Sequence, residues 1–288
     1  MTDHESGPVL QVRAGAATDA GAVRERNEDA FVVSSVVFAV ADGMGGHAGG
    51  AEASAIVAEE LAALPPGPWA TAVEIHGAVE RAALRVTALA AGAAPAPGST
   101  LSGVALAEQD GMPCWLVFNV GDSRTYRLQN GRIELVTVDH TRVQELVDAG
   151  RISADEARTH AQRNVITRAI GAGSVGPPHL DLSLLVAGPD DRLLICSDGL
   201  TGELSEQLIA ALLLDIADPR VAAEALVREA VTAGGRDNVT AVVVDVVELE
   251  STAVDSRSDD THPDLQIVTD ESGGTLPDAA LAGADGAL

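Results

Sequence analysis

Four times in this chain an apolar run ends on an aspartate flanked by small residues. The places are Phe38-Ala-Val-Ala-Asp42-Gly43, Phe118-Asn-Val-Gly-Asp122-Ser123, Leu194-Ile-Cys-Ser-Asp198-Gly199 and Gly234-Gly-Arg-Asp237-Asn238, the last entering a Val-rich run. One Asp-Gly step is ordinarily a turn. Four of the same design in 288 residues call for a fold that presents several rigid strand ends, each carrying a carboxylate. Hard carboxylate oxygens suit Mg²⁺ or Mn²⁺, and small neighbours let backbone and metal-held water come close. Two such ions about 3.5–4 Å apart would activate a water for in-line attack on phosphorus.

Composition removes other chemistries. All 18 basic residues are Arg, so there is no Walker A lysine, no Schiff-base lysine and no lysine general base. The formal charge of −25 argues against nucleic acid or an anionic membrane as the main partner. The two cysteines, Cys114 and Cys196, form no CxxC pair and imply neither a zinc framework nor a disulfide scaffold. The start of the chain lacks a basic segment and an apolar h-region, and the longest apolar stretch, near 208–214, falls far short of the roughly 20 residues of a span. These features predict a soluble, cytoplasmic protein. Hydrophobic residues make up 46% and aromatics 2%, so the core must be built from Val, Leu, Ile and Ala.

Composition shifts near residue 250. Residues 251–288 hold eight acids, one Arg and no periodic apolar face, which predicts a disordered acidic tail behind a domain of residues 1–250. Within that domain, strands are expected at 36–41, 101–107, 115–120, 125–128, 133–138, 180–186, 192–196 and 240–249. Helices are expected at 51–64, 70–91, 205–214 and from Asp218, an N-cap followed by Pro219. Asn130-Gly131 signals a hairpin, and Ser153 with Glu156 makes a capping box. Adjacent strands with helices in blocks predict an α+β domain with mainly antiparallel sheets. The glycine-rich stretch 42–50 is no clean GxGxxG and has no lysine, so it does not read as a nucleotide loop.

The motifs in their order resemble the PP2C-type (PPM) metal-dependent Ser/Thr protein phosphatases in their bacterial form. The resemblance is carried by Arg24-Glu-Arg-Asn27-Glu28-Asp29, by DGMGGHAGGAEAS from Asp42, and by Gly98-Ser99-Thr100. Asn119–Tyr126, Asp139-His140-Thr141, the stretch from Arg163 to Gly171, Cys196–Thr201 and Gly235–Thr240 follow, so that it covers residues 10–248. It implies a four-layer αββα sandwich with two antiparallel β-sheets. It implies two core Mn²⁺ or Mg²⁺ ions, with Asp42 bridging them, Gly43 adding a carbonyl, and Asp198 and Asp237 completing the ligation. Glu28 and Asp29 would hold metal-bound waters, Asp122 would help bind a third ion, and Arg24 would clamp the substrate phosphate. Asn238 and Ser197 are expected behind the ligands.

The activity so implied is hydrolysis of phosphoserine and phosphothreonine in proteins by a metal-activated water, with no covalent phosphoenzyme, opposing bacterial Ser/Thr kinases. A monomer is expected. The family's eukaryotic form has His after the signature Asp-Gly; this chain has Met44, so the proton donor to the leaving group stays open between His47, His160 and a metal-bound water. Residues 139–164 correspond to a mobile flap beside the site, with Ala161 where relatives often have Pro. Cys196 reads as a small buried strand residue rather than a nucleophile. Competing readings are a catalytically dead domain used for binding, a phosphatase dedicated to one partner, and a small-molecule phosphatase. Retention of Asp42, Asp198, Asp237 and Arg24 argues against the first.

Overall fold

The computed structural model describes residues 8–45, 49–89, 95–174, 176, 178–251 and 266–267. The chain opens with β1 (Val9–Asp19), β2 (Asp29–Val33), β3 (Val37–Met44), α1 (Gly49–Ala62) and α2 (Ala72–Leu89). There follow β4 (Gly98–Ser99), β5 (Leu101–Gln109), β6 (Met112–Val120), β7 (Arg124–Gln129) and β8 (Arg132–Leu135). The segment after β8 carries α3 (Arg142–Asp148), α4 (Ala154–Ala157) and β9 (Ile170–Gly171). The last third comprises β10 (Asp181–Val186), β11 (Arg192–Cys196), α5 (Asp198–Thr201), α6 (Glu206–Asp215), α7 (Pro219–Ala233), β12 (Val239–Glu250) and β13 (Gln266–Ile267).

Two antiparallel sheets result. One runs β1-β12-β11-β7-β8; the other runs β13-β10-β6-β5-β3-β4-β9, with β2 also paired to β3. Alternation along the strands shows how they stack. Phe38 and Val40 point into a cluster with Val104, Trp115, Ile195 and Val242, which draws on both sheets. Their neighbours Val37, Ala39 and Ala41 face Ile56, Val57, Ile75 and Val79 of α1 and α2. In the other sheet Leu194, Cys196, Ala241 and Val243 face Ile209, Leu213, Leu226 and Ala230 of α6 and α7. A strand covered on both faces is apolar along its buried length, which is why 36–41 and 241–244 read as unbroken runs. The order of layers is helices, sheet, sheet, helices, the expected αββα sandwich.

The local signals hold where they are strong. Ser153 and Glu156 make the reciprocal capping box. Asp218 accepts the N–H groups of Arg220 and Val221, with Pro219 in the first turn. Asn130 and Gly131 both take positive φ (51° and 74°) and close the β7–β8 hairpin. Apart from the two-residue strands β4, β9 and β13, two strands lack a clear sequence signal. β1 mixes small and charged residues and slips register between Gln11 and Val12, yet pairs with β12 along its whole length. Its Gly15 lies so close to the backbone of Arg220 on α7 that a Cβ would collide. β2 is short and open to solvent at Phe31 and Val33. In the other direction, the run expected at 133–138 stops pairing as a strand after Leu135. Of residues 251–288, only Ser251, Gln266 and Ile267 lie among those described; the last two pair with Leu184 and Ser183 at the edge of β10. Among the described residues no helix is long and apolar enough to cross a membrane.

Candidate active site

The four aspartates of the sequence motifs sit at strand or helix ends that the sandwich brings together, and Asp29 joins them. Asp42 lies near the end of β3, two residues before Met44, and Asp29, opposite it on β2, is its direct register partner. Asp198 opens α5 directly after β11, and Asp237 precedes β12, the neighbour of β11. Asp122 lies in the turn between β6 and β7. Gly199 packs against the backbone of Asn238 so tightly that no side chain fits, which sets the turn bearing Asp198 directly on the turn bearing Asp237.

Electrostatics records the same proximity. Burial raises the Asp42 carboxyl well above its usual range, and the charges of Asp29, Asp198, Asp122 and Asp237 push the same way. Burial likewise lifts Asp29 to about 7 and Asp122 to about 8. Asp198 is raised by burial and by Asp237, while a shared hydrogen bond with Asp42 opposes the shift. Like charges held out of water cannot all ionise unless a cation joins them. Among the described residues, Asp29 Oδ1 and Asp122 Oδ1 are buried with no hydrogen-bond partner. Orphaned carboxylate oxygens beside other carboxylates make a donor set of all-oxygen, hard character, which fits Mg²⁺ or Mn²⁺. Among the described residues no three such side chains are already closed around one point as metal ligands. The aspartates are electrostatic neighbours rather than a formed cage.

A frame of hydroxyls and one amide holds these carboxylates. Asp29 Oδ2 accepts the Ser197 hydroxyl at 2.8 Å and the Thr240 hydroxyl at 2.7 Å. Thr240 in turn shares a 2.7 Å bond with Thr18, and Thr18 accepts the side-chain amide of Asn27. Thr100 Oγ1 accepts the N–H of Asp42 at 3.1 Å and shares a 2.8 Å bond with Ser123, next to Asp122. Asn238 donates to the carbonyls of Ala20 and Arg26 and accepts the N–H of Glu28, pinning both sides of the loop that carries Arg24. Gly43 donates its N–H to the Glu28 carbonyl at 3.1 Å, which also receives the hydroxyl of Ser54. A Cβ at Gly50, in the first turn of α1, would collide with the Glu28 carboxylate, so that glycine makes room for the side chain.

Arg24 is exposed, and its Nη2 donates to Asp237 Oδ2 at 2.6 Å. That bond raises its pKa, and the nearby charges of Asp42 and Asp198 add to the effect. His47 lies outside the described residues. His160 accepts the N–H of Gln162 within its own turn, and among the described residues no hydrogen bond links it to the aspartates. The expected flap, residues 139–164, carries α3 and α4, and Thr141 near its start bridges Ile166 just beyond its end.

Sequence reasoning assigned no role to His140, although Asp139-His140-Thr141 stood out as a motif. The ring is buried: Nδ1 accepts the N–H of Gly121, beside Asp122, so Nε2 carries the proton and donates to Asp181 Oδ2 at 2.9 Å. The Thr100, Thr240 and Thr18 hydroxyls were equally unassigned. Thr100 and Thr240 close motifs whose aspartates and glycines drew attention first. Cys196 is fully buried on β11 and its thiol is pushed up to about 12 by burial, as expected of an inert core residue.

Residues 20–233 match the profile described as protein phosphatase 2C. The chain belongs to the protein phosphatase 2C family. Within that family it is 39% identical over 252 residues to the serine/threonine protein phosphatase PstP of Mycobacterium tuberculosis, covering 84% of this chain and 46% of that protein. The chain thus spans about half the length of that relative. It is 32% identical over 241 residues to the serine/threonine phosphatase stp of Listeria welshimeri, covering 79% of this chain and 93% of that one. Among solved phosphatase 2C structures, the PstP catalytic domain in complex with two manganese ions superposes with a TM-score of 0.73 at 36% identity, over 83% of this chain and all of that one.

Proposed function

We propose that this chain is a metal-dependent phosphoprotein phosphatase that hydrolyses phosphoserine and phosphothreonine without forming a phosphoenzyme. The observation that carries the reading is the meeting of Asp29, Asp42, Asp122, Asp198 and Asp237, drawn from opposite ends of the sequence, next to the exposed guanidinium of Arg24. Relatives named Ser/Thr phosphatases, one of them solved with two manganese ions, support it.

In this reading Asp42, the Gly43 carbonyl, Asp198 and Asp237 would hold two Mn²⁺ or Mg²⁺ ions. Glu28 and Asp29 would orient water, and Asp122 would contribute to a third, weaker site. Bound there, the ions would supply a water nucleophile at neutral pH and offset charge on the phosphoryl group. The chain's own residues do the rest. Ser197 and Thr240 fix the Asp29 carboxylate through one oxygen and, among the described residues, leave the other buried and unpartnered. Thr100 locks the Asp42 strand end to the Asp122 turn. Asn238 fixes the loop of Arg24, whose planar fork matches two phosphoryl oxygens once it leaves Asp237. The substrates are then phosphorylated Ser/Thr proteins of the same cytoplasm, and the natural opponent is a bacterial Ser/Thr kinase. The enzyme acts as a monomer.

The test is phosphate release from a phosphothreonine peptide by the full chain with Mn²⁺, with EDTA, and after Asp198→Ala. Turnover is expected in the first case alone. Undiminished turnover under chelation overturns the metal reading. Mn²⁺ binding with no turnover on any phosphopeptide replaces it with a binding module.

A further inference from the structure

Asp198 and Asp237 reach the cluster from two short segments that are not continuous with each other. Asp198 begins α5, only four residues long; Asp237 ends a turn that starts at Gly234. The Gly199–Asn238 contact and the bonds between Ser197 and Thr240 join the two segments on the strand side, but a turn and a four-residue helix have little stiffness of their own, so something must also hold their far ends together. Glu203 and Arg236 do so. Glu203 follows directly on the end of α5, where Gly202 closes onto the Asp198 carbonyl at 2.7 Å. Its side chain is buried, at 5% exposure, although it carries a carboxylate. Oε1 accepts the Arg236 backbone N–H at 3.0 Å and Arg236 Nε at 2.8 Å, and Oε2 accepts Nη2 at 2.9 Å. The same guanidinium reaches back to the Gly202 carbonyl at 3.2 Å. Gly234 stands so close to the carboxylate that a Cβ would sit 2.8 Å from Oε2.

The clasp extends further. The Gly235 carbonyl accepts the N–H groups of Ala22 and Val23, immediately before Arg24. One carboxylate therefore ties the end of α5 to the turn of Asp237, and that turn holds the loop of the phosphate-facing arginine.

We propose that Glu203, through its fork onto Arg236, is a positioning residue that sets the Asp198–Asp237 separation and so tunes the affinity of the site for its divalent ions. This rests on the metal reading above and adds a residue that contacts neither ion nor substrate. Side chains that orient ligands are commonly worth about tenfold or more in metal affinity. An ion pair whose Arg is 71% exposed adds little to global stability. Affinity and stability should therefore part company.

The experiment is calorimetric titration of EDTA-stripped full chain with Mn²⁺, for wild type, Glu203→Gln, Arg236→Lys and the double variant, beside the melting temperature of each stripped protein. Glu60→Gln, which breaks the cluster of Glu60 with Arg81 and Arg85 on α1 and α2, is the control. Each single variant is expected to bind Mn²⁺ about tenfold more weakly, and the double no worse than the weaker single, because both break one interaction. Stripped melting temperatures should shift by less than about 3 °C. Unchanged Mn²⁺ affinity in both single variants overturns the proposal, and so does a loss of affinity that Glu60→Gln shares. Wild-type protein that takes up no Mn²⁺ overturns the metal reading itself.

Discussion

The side chain of Asn238 accepts the backbone N–H of Glu28 at 2.8 Å, across 210 positions of sequence. With its two donor bonds to Ala20 and Arg26, it joins the last strand of the domain to the loop that carries Arg24. Both N–H donors of that buried amide and its oxygen bond to backbone groups.

Asn238→Ala leaves one N–H and two carbonyls of this loop without their partner. The expected cost is about 3 kcal/mol of stability, or about 8 °C in melting temperature. The KM for a phosphopeptide should rise together with the loss, because Arg24 sits between the two carbonyls that Asn238 holds. Thermal melts and steady-state kinetics on the same preparation check both; an unchanged KM would show that the loop is held without the amide.

The pH dependence of the metal-free protein should run opposite to that of most acidic proteins. Asp29 at about 7 and Asp122 at about 8 lie above the usual carboxylate value of 3.8. Between about pH 4 and pH 8 the folded state therefore binds more protons than the unfolded state, and stability falls as pH rises. In EDTA the melting temperature should be higher at pH 5.5 than at pH 8. Mn²⁺ should reverse the order, since the ions replace the protons and bind best to ionised carboxylates. A melting temperature in EDTA that climbs from pH 5.5 to pH 8 contradicts the arrangement.

Not every buried acid belongs to the site. Asp191 lies between the sheets and accepts Trp115 Nε1 at 2.9 Å, Arg127 at 2.7 and 2.8 Å, Gln129 at 2.9 Å and the Gly188 N–H at 2.8 Å. Asp191→Ala strands the buried Arg127 guanidinium and should cost about 3–5 kcal/mol. Asp237→Asn, at a side chain 37% exposed, should abolish turnover with little change in stability. Urea denaturation of the two variants separates the roles; equal destabilisation would mean that Asp237 is a folding residue.

Much of this was legible from the residues in order. Strands buried on both faces showed themselves as unbroken apolar runs, and caps such as Ser153 and Asp218 are local chemistry that needs no distant partner. The acids of the site were legible because they stand in distinctive short motifs. β1 and β2 were not legible. One draws its stability from β12 and α7 rather than from its own alternation, and the other is a short edge strand. His140, Thr18, Thr100 and Thr240 were invisible as site residues because a hydroxyl or an imidazole has no meaning until its partner is known.

The sequence alone determined which groups carry charge, which stretches must be buried, and where strands end on aspartate, because those follow from side-chain chemistry and periodicity along the chain. Only the tertiary structure decided that Asp29 faces Asp42, that Arg24 rests on Asp237, and that Glu203 spans to Arg236. Those relationships depend on distances between segments up to 213 residues apart. Such distances are set by how two sheets stack, and no local pattern encodes them.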